Sequence, residues 1–423
     1  MIKLQEGVYM NISNKKVGVI ITGGIAAYKI TELVRSLVKS GAQVRVMMSR
    51  AACQFIAPLT LQILSKQEVL VDLFEESDAE HVKHIAYADW CDYVVLAPAT
   101  ANILGKLANG IADDLVSTTL LAVHCPVLIV PAMNHHMYNH PAVKQNIHCL
   151  HSYGYRVMPA AYGYLAEGYE GQGRMPEVPA ILAELKLLIA QTECPQLLKG
   201  KKVLVTAGGT VERIDPVRFI SNDSSGKMGY AMAIIACYLG AEVQFITSKE
   251  GFFMLPGMTE IRVYSAQDMY EAVEQAFEGC DYLVMAAAVS DYRVKEPALN
   301  KIKKTATNQE LTIELTTNPD IVAIMSAKKT SQCVIGFAAE SEHLMAYAKD
   351  KLARKNLDWI IANDISQANL GFNVDENQAV LIGSNGSEQV FERMAKSNLA
   401  FELWQAILTN QVRGEGVHGL SGK

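Results

Sequence analysis

The chain contains one local pattern twice: a short apolar run rich in β-branched residues, then two glycines, then a helix-like segment. The first copy, KVGVIITGG, begins at Lys16, and the second, KKVLVTAGG, begins at Lys201. A buried strand that passes through a glycine turn into a helix is the opening βα unit of a doubly wound sheet. Because further strand-like and helix-like runs follow each copy, the sequence predicts an α/β fold with two Rossmann-like domains.

The predicted domains meet at residues 192–200, TECPQLLKG, where Pro, Gly and mixed polarity indicate a linker. This boundary gives domains at residues 1–191 and 201–410, followed by a flexible tail at residues 411–423. The periodic pattern begins only at Lys16, so either Met1 or Met10 could be the initiator.

Composition excludes several classes of protein. The net charge of −6 leaves no basic surface of the kind that binds nucleic acid. No apolar run approaches the roughly 20 residues of a membrane-spanning helix, and the first residues lack the apolar centre of a signal peptide. The eight cysteines form no CxxC pair and are interpreted as reduced core residues. We therefore expect a cytoplasmic protein without nucleic-acid or membrane partners.

Polar residues follow two neighbouring strands of the first predicted sheet. The run at residues 93–97 opens into APATAN at residues 97–102, and the run at residues 126–130 ends in PAMN at residues 131–134. Open α/β sheets bind ligands at the carboxyl ends of their strands. Small, hydroxyl, amide and thioether groups suit a flat ring, so we interpret this edge as a flavin site. An ordinary pair of βα turns explains this stretch alone about as well.

Other polar residues of the first half have two interpretations each. The Gly23-Gly24 turn could bring backbone N–H groups to a phosphate, although its spacing is not GxGxxG. Ser49 is either a phosphate-binding hydroxyl or a helix N-cap. The histidines at positions 135, 136 and 140 lack the carboxylate of HExxH, so a metal site is not expected. Residues 163–177, with four glycines, are either a mobile flap or a surface loop.

The second half contains several candidate nucleotide contacts. The polar loop at residues 213–229 contains SSGK, part of a P-loop without the full GxxxxGK[ST] spacing. Asp291 follows a strand-like run and could contact a nucleotide or Mg²⁺. Asn318-Pro319-Asp320 caps a predicted helix whose free N–H groups could meet a phosphate or base. The run that begins at Lys301 is either a phosphate-binding hairpin or a solvated edge strand.

Together these motifs resemble the bacterial bifunctional enzymes of coenzyme A biosynthesis. In that family an FMN-dependent phosphopantothenoylcysteine decarboxylase precedes a CTP-dependent phosphopantothenate–cysteine ligase. The decarboxylase is matched by GGIAAYK, HIxxA, APATANxxxKxAxGxADDLxST and PAMN, and the ligase by SNxSSGKMG, AAAVxDYR, KIKK, NPDIV, GFAAE and the ARKNLD…AND run. The resemblance runs from about Lys16 to Leu408. It implies a flavodoxin-like FMN domain followed by a CTP-dependent ligase domain.

For the first domain, the resemblance implies an oxidative decarboxylation. The thiol-bearing carbon is oxidised to a thioaldehyde, CO2 leaves to give an enethiol, and the reduced flavin returns the electrons. The matching positions make His84 the residue that assists thiol oxidation and Asn134 the residue that grips the substrate carboxylate. The FMN contacts would be Gly23, Gly24, Ile25, Ala26 and Ser49 around the phosphate, and Thr100, Ala101, Asn102 and Met133 around the ring.

One position departs from this family pattern. Many members carry Cys in the flap sequence ACGxxGxGRM, and that thiol donates the proton in the final reduction. This chain has Glu167 there. A carboxyl group can take the same role only where burial favours its protonated form. Otherwise Glu167 is a flap residue, and water or another group supplies the proton.

For the second domain, the resemblance implies activation of 4′-phosphopantothenate by CTP and Mg²⁺ through an acyl-cytidylate, with loss of pyrophosphate before cysteine attacks. Asn222 matches the residue that acts on the acyl-cytidylate, and Lys301 matches the hairpin lysine. The CTP contacts would be Ala287, Asp291, Lys301, Pro319, Asp320, Ile321, Val322, Phe337, Lys351 and Lys355, with Asp291 also a ligand of Mg²⁺. The preference for CTP over ATP follows only from the resemblance.

The resemblance further implies a homo-oligomer. Trimers of the flavin domain would be joined by ligase-domain dimers, up to a dodecamer, with each flavin site shared between subunits. The alternative is a flavoprotein without decarboxylase activity, either a prenyltransferase-like relative or a regulatory subunit. PAMN and the ligase-like half disfavour the first, and the lack of a long acidic tail disfavours the second.

Overall fold

A computed structural model describes residues 12–72, 82–303, 310–340, 344–364 and 375–418 of the chain. The chain divides into two compact units, Gly7–Glu193 and a second that contains Cys194–Lys423. Each unit has its own central sheet with helices around it. The prediction of two doubly wound α/β domains is therefore confirmed.

The sheet of the first unit has six parallel strands in the order β3-β2-β1-β4-β5-β6. Its strands are β1 (Lys16–Ile21), β2 (Gln43–Met48), β3 (Val69–Leu70), β4 (Tyr93–Ala99), β5 (Val127–Pro131) and β6 (Arg156–Val157), with a separate hairpin of β7 (Ala161–Tyr164) and β8 (Glu170–Arg174). Its helices are α1 (Ile30–Lys39), α2 (Pro58–Ser65), α3 (Lys83–Trp90), α4 (Ala101–Ala108), α5 (Leu115–Ala122), α6 (His135–Asn139), α7 (Pro141–Ser152) and α8 (Val178–Glu193).

This strand order is that of dinucleotide-binding Rossmann folds, in which the order reverses between β1 and β4. The comparison with flavodoxin therefore holds for the doubly wound architecture but not for the order, since flavodoxins have 2-1-3-4-5. Strand β4 is buried at all seven positions, because helices cover both faces of the sheet. The reversal leaves a crevice at the carboxyl ends of β1 and β4.

The second unit has an eight-stranded sheet in the order β13-β12-β9-β14-β17-β18-β19-β20, of which only β19 and β20 are antiparallel to their neighbours. Its strands are β9 (Lys202–Ala207), β12 (Glu242–Thr247), β13 (Met258–Arg262), β14 (Tyr282–Met285), β17 (Cys333–Glu340), β18 (Trp359–Asp364), β19 (Glu376–Gly383) and β20 (Glu388–Ala395), with hairpins β10 (Val211–Asp215)–β11 (Arg218–Ser221) and β15 (Tyr292–Val294)–β16 (Leu315–Thr317). Its helices are α9 (Lys227–Tyr238), α10 (Ala266–Phe277), α11 (Ile321–Lys328), α12 (Leu344–Arg354) and α13 (Lys396–His418).

The sequence predicts a flexible tail from residue 411, whereas α13 continues to His418. Trp404 and Ile407 are fully buried in this helix, and the indole N–H of Trp404 donates to the Met232 carbonyl at 3.0 Å. A helix anchored in this way propagates readily through the following residues. The remainder of the predicted tail, residues 419–423, lies outside the described residues.

Two further findings concern the chain as a whole. In the described residues no helix combines the length and the apolar character needed to cross a membrane. None of the eight cysteines, all of which are described, is joined to another in a disulfide.

Candidate active sites

Two adjoining cavities lie at the carboxyl ends of the first sheet's central strands. The larger, about 670 Å³, is called the Asn134 cavity, and the smaller, about 540 Å³, the Ser49 cavity. They share Gly23, Thr100, Ala101 and Met137. All nine predicted flavin contacts border one or both: Gly23, Gly24, Ile25, Ala26, Ser49, Thr100, Ala101, Asn102 and Met133.

A hydroxyl pair holds the two central strand ends together. The Thr22 hydroxyl donates to the Pro98 carbonyl at 2.6 Å, and the Thr100 N–H donates to the Thr22 hydroxyl at 3.2 Å. Thr100 also caps α4, because its hydroxyl accepts from the Ile103 N–H. Thr22 was not singled out from the sequence, although a threonine between a strand and a glycine turn is a usable signal for this role.

The glycine turn and Ser49 form the floor of the Ser49 cavity. A side chain at Gly23 would place its Cβ only 2.4 Å from the Cβ of Ala51, so the close approach of these two segments requires glycine. The Ser49 hydroxyl accepts from the Ala52 N–H at 3.2 Å, but the N-cap of the next helical turn, Ala52–Gln54, is Ala51, and no side chain caps that turn. Ser49 nevertheless lines the cavity, so its remaining lone pair and its proton can face a bound group.

Asn134 lies where the β7–β8 hairpin meets the end of β5. Its side-chain oxygen accepts from the His136 N–H at 2.8 Å and thereby caps α6. Its side-chain nitrogen donates to the Tyr169 hydroxyl at 2.6 Å. The hairpin is held at its base by the Met133 N–H, which donates to the Gly173 carbonyl at 2.9 Å. A side chain at Gly173 would reach within 2.2 Å of the Met133 carbonyl. The segment predicted as a flap is thus anchored beside the cavity.

Glu167 and His84 have different relations to these cavities. Glu167 lies in the turn of the hairpin, lines the Asn134 cavity and is exposed in the single chain. His84 lies in the first turn of α3, half-buried, and borders neither cavity. The structure therefore brings Asn134 and Glu167 together with the flavin contacts but leaves His84 apart from them.

Two carboxylates at the rim of the Ser49 cavity are paired with one lysine. Lys106 forms ion pairs of 2.6 Å with both Asp113 and Asp114, which line the Ser49 cavity. Burial opposes ionisation of Asp114, but Lys106 and hydrogen bonds from Ser117 still hold the pKa of its carboxyl below the ordinary value. The centre of both cavities keeps small and hydroxyl side chains. The glycine turn at Gly23, the nearby hydroxyl groups and the small number of charges fit a flat flavin ring with one phosphate.

The second unit has a cavity of about 350 Å³ at the carboxyl ends of β14, β17 and β18, called here the nucleotide cavity. Nine of the ten predicted CTP contacts line it: Ala287, Asp291, Pro319, Asp320, Ile321, Val322, Phe337, Lys351 and Lys355. The tenth, Lys301, is exposed and does not line it. The predicted hairpin after Lys301 falls partly at residues 304–309, outside the described residues.

Two lysines and the first turn of α11 lie on the lining of the nucleotide cavity. The Asp320 carboxylate caps α11 by accepting from the Ala323 N–H at 3.2 Å, and it pairs with Lys355 at 2.8 Å. Lys351 donates to the Phe337 carbonyl at 2.9 Å. These contacts hold cationic groups beside the first turn of a helix, which is an arrangement that binds phosphate.

Asn222 contacts the nucleotide cavity indirectly. Its side-chain amide donates to the carbonyl of Ala288, a lining residue, at 3.0 Å. A side chain at Gly209 would come within 2.3 Å of the Asn222 carbonyl, so a glycine is needed where these segments meet. Asn222 is exposed, and its amide is fixed at the cavity edge.

One carboxylate on the lining of the nucleotide cavity has the chemistry of a Mg²⁺ ligand. Among the described residues, no three His, Cys, Asp or Glu side chains are grouped in a way that could hold a metal. Asp291 is an exposed carboxylate on the lining. Mg²⁺ in nucleotide sites commonly uses one or two carboxylates together with phosphate oxygens and water. Asp291 fits that donor set.

Four polar residues of the nucleotide cavity were given no individual role from the sequence, although Asn363 lies in the matched AND motif: Ser290, Asn363, Asn377 and Lys396. Ser290, Asn377 and Lys396 are each less than 10% exposed. The Ser290 hydroxyl and the Asn363 carbonyl oxygen have no hydrogen-bond partner within the described part of the chain. Lys396 also carried a usable signal, since a lysine that begins a helix opposes the helix dipole.

Comparison with known proteins gives matches to both halves. The Flavoprotein family matches residues 7–190, and the family described as DNA/pantothenate metabolism flavoprotein C-terminal domain matches residues 198–410. The coenzyme A biosynthesis bifunctional protein CoaBC of Bacillus subtilis is 45% identical over 399 residues, covering 94% of this chain and 97% of that protein.

Of two further matches, one covers most of the chain and the other about half of it. The protein of the same name from Vibrio parahaemolyticus is 42% identical over 393 residues, covering 93% of this chain and 97% of its own length. A crystal structure of the C-terminal domain of a CoaBC protein is 36% identical with a TM-score of 0.44, covering 52% of this chain and 99% of that chain.

Proposed function

This chain belongs to the family of coenzyme A biosynthesis bifunctional enzymes, and on that premise we propose that its two units catalyse consecutive steps. The second unit, residues 201–410, would join 4′-phosphopantothenate to cysteine at the expense of CTP. The first unit, residues 1–191, would decarboxylate the product to 4′-phosphopantetheine. Because the relatives match both halves, a regulatory or prenyltransferase-like flavoprotein is not favoured.

The flavin of the first unit is proposed to be FMN. The observation that carries the proposal is the cradle of Gly23, Ser49 and Thr100, which joins two cavities large enough for a ring and one phosphate. When bound, FMN supplies the reversible two-electron oxidation that lets an otherwise inert carboxylate leave as CO2. The protein's task is then to orient the substrate thiol and carboxylate beside the ring.

Asn134 is proposed to bind the substrate carboxylate. Its side-chain amide is fixed at the cavity edge, because the oxygen accepts from the backbone N–H of His136 in α6 and the nitrogen donates to the Tyr169 hydroxyl. A neutral amide holds a carboxylate by hydrogen bonding without fully compensating its charge, so the charge remains costly until CO2 departs. The hairpin beside it would limit water at the reacting carbon.

His84 is proposed to accept the proton of the substrate thiol. Since His84 borders neither cavity of its own chain, we propose a homo-oligomer in which it serves the flavin site of a neighbouring subunit. Exposed Ile25, Tyr28 and Met137 at the Asn134 cavity support such an arrangement, because another subunit would cover them.

Replacing His84 by Asn is expected to leave the FMN content unchanged and to slow decarboxylation by about 100-fold or more, the usual contribution of a positioned base. Flavin absorbance and CO2 release measure the two effects. The matched control is His148→Asn on the exposed face of α7. Co-expression of His84→Asn and Asn134→Asp chains should restore activity through shared sites. Unchanged turnover in His84→Asn would remove this residue from the mechanism.

Glu167 is proposed to donate the proton in the final reduction, in place of the family thiol. It is exposed in the single chain, so the role requires bound substrate or a second subunit to bury its carboxyl. Glu167→Gln keeps the size of the side chain and removes the transferable proton. We expect the oxidised enethiol product to accumulate after CO2 release, as detected by mass spectrometry. Glu170→Gln in the same hairpin is the control, and equal product distributions would make Glu167 a bystander.

In the second unit, CTP and Mg²⁺ are proposed to bind the nucleotide cavity. Lys351, Lys355 and the first turn of α11 would neutralise phosphate charge, and Asp291 would hold Mg²⁺. Asn222 would orient the acyl-cytidylate at the cavity edge. Lys301, although outside the lining, would reach the phosphates from its exposed segment.

The experiment that tests the proposal supplies the purified full chain with 4′-phosphopantothenate, cysteine and Mg²⁺, with CTP or ATP. With CTP we expect pyrophosphate, CO2 and 4′-phosphopantetheine, and a flavin absorbance band from the protein itself. Pyrophosphate without CO2 would leave only the ligase. A colourless protein that does not bind added FMN would overturn the decarboxylase proposal. Products with ATP alone would overturn the choice of nucleotide.

A further inference from the structure

The hydroxyl group of Tyr169 makes one hydrogen bond to the described residues, and it makes that bond as an acceptor. The side-chain oxygen of Asn134 accepts from the His136 N–H at 2.8 Å, so the amide nitrogen faces Tyr169 and donates to its hydroxyl at 2.6 Å. A phenol hydroxyl can donate as well as accept, and an amide nitrogen carries two N–H groups. The Tyr169 proton and the second N–H of Asn134 therefore remain available for a bound group.

The turn that contains Tyr169 is held firmly against α6. In the strand that follows Tyr169, the Gln172 N–H donates to Nδ1 of His135 at 3.0 Å. A side chain at Gly171 would place its Cβ 2.8 Å from the Cβ of His135, so strand and helix approach closely here. The phenol ring also lies beside the His136 ring, with the two centroids 6.3 Å apart. These contacts keep the Tyr169 hydroxyl at one place on the hairpin.

That place is the edge of the Asn134 cavity. Tyr169 is 37% exposed and does not itself line the cavity, whereas Asn134 does. Because the hydroxyl oxygen lies 2.6 Å from the amide nitrogen, a ligand group that accepts from Asn134 also comes within hydrogen-bonding reach of Tyr169. Two adjacent donors suit a carboxylate, since each of its two oxygens can accept one hydrogen bond.

A carboxylate in this cavity needs more than one amide N–H. It has about four positions that accept hydrogen bonds, and burial without partners is costly. Both cations among the described lining residues, Lys29 and Arg174, form ion pairs with Glu177. A pair of neutral donors holds the carboxylate without a new cation, which would stabilise a charge that must disappear as CO2 leaves.

We propose that the Tyr169 hydroxyl is a second hydrogen-bond donor to the substrate carboxylate, beside the amide of Asn134. The inference rests on the proposed decarboxylase function and adds a binding residue to it. The hydroxyl donates its proton to one carboxylate oxygen, and the second N–H of Asn134 donates to the other. The bond between Asn134 and Tyr169 persists, because the phenol oxygen accepts and donates at once. Such linked hydrogen bonds polarise and strengthen one another.

Two ligands that cannot react isolate the contribution of the carboxylate. 4′-Phosphopantothenoylserine has a hydroxyl where the substrate has its thiol, so there is no thiol to oxidise. The corresponding ethanolamine amide differs from this serine ligand only by lacking the carboxylate. The dissociation constants of both are measured by calorimetry with the full chain loaded with FMN.

Tyr169→Phe removes the hydroxyl and keeps the ring. We expect its affinity for the serine ligand to fall about tenfold or more, as for loss of a hydrogen bond to a charged group. Its affinity for the ethanolamine ligand should stay within twofold of the unsubstituted chain. The matched control is Tyr162→Phe, at an exposed residue of the same hairpin that does not line the cavity. That variant should bind both ligands normally.

Two results would overturn the proposal. Equal losses of affinity for both ligands in Tyr169→Phe would show that the hydroxyl only maintains the shape of the hairpin. Affinities for both ligands within twofold of the unsubstituted chain would show that the hydroxyl does not bind the carboxylate.

Asn134→Ala and a decarboxylation assay separate this inference from the proposed function. If Asn134→Ala weakens binding of the serine ligand alone and Tyr169→Phe does not, the carboxylate site remains and the role of Tyr169 is wrong. If the unsubstituted chain releases no CO2 from phosphopantothenoylcysteine, yet binds the serine ligand in a way that depends on Tyr169, the proposed reaction is wrong and the inference remains.

Discussion

Asn134→Asp is expected to abolish decarboxylation while leaving ligation intact. The substitution keeps the contacts that shape the site, because a carboxylate also caps α6 and accepts a hydrogen bond from Tyr169 once that hydroxyl reverses its role. What changes is the charge that faces the substrate carboxylate. Two such charges about 4 Å apart repel by about 4 kcal/mol at the effective dielectric of a protein surface. That corresponds to on the order of 1000-fold in rate.

The measurement is CO2 release from supplied phosphopantothenoylcysteine, with pyrophosphate release from CTP recorded in parallel. The control is Gln62→Glu, which adds the same charge on the exposed side of α2. We expect that control to retain both activities. Decarboxylation by Asn134→Asp within threefold of the unsubstituted enzyme, with flavin bound, would contradict the role given to Asn134.

Asn222→Asp is the complementary change, and it is expected to abolish ligation while sparing decarboxylation. The amide of Asn222 donates to the Ala288 carbonyl at 3.0 Å, whereas a carboxylate would place an acceptor against that acceptor. It would also bring negative charge to a cavity proposed to hold phosphates. Loss of a hydrogen bond together with these repulsions is worth about 3 kcal/mol or more, which is at least about 100-fold in rate.

Pyrophosphate release measures this effect, and CO2 release from supplied phosphopantothenoylcysteine reports on the first unit. Asn385→Asp is the control, because this exposed turn residue uses only its oxygen, which accepts from the Ser387 N–H and hydroxyl. A ligase that tolerates Asn222→Asp as well as Asn385→Asp would show that Asn222 does not act on the acyl-cytidylate.

The fold could be predicted because its signals are local. A strand, a glycine turn and a helix recur at Lys16 and Lys201, and the right-handed parallel connection leaves few ways to assemble them. The order of the strands was harder to predict from the sequence, because flavodoxin-like and Rossmann-like sheets are built from the same βα units. The helix at residues 411–418 was predicted as part of a flexible tail, because the polar composition after residue 410 gives no sign that Trp404 anchors α13.

Residues that line the cavities could be predicted where they follow the ends of strands directly. Thr100, Asn134 and Asp320 are of this kind, and each lines a cavity. His84 and Lys301 border none of the three cavities in the described residues, and the local sequence pattern gives no sign of this.

Lys396 was missed for a different reason. It follows β20 in sequence, and the fold brings it to the cavity beside the start of α9, far away along the chain. The unpaired polar atoms of Ser290 and Asn363 could not be predicted either. An atom is recognised as buried and unpaired only when its surroundings in the fold are known.

The most direct test of consecutive action by the two units uses cysteine labelled at its carboxyl carbon. The purified chain is given this cysteine with 4′-phosphopantothenate, Mg²⁺ and FMN, with or without CTP, and labelled CO2 is counted. We expect one labelled CO2 for each pyrophosphate released, and none without CTP. Pyrophosphate release with all the label retained in an amide, or labelled CO2 that does not require CTP, would contradict the account.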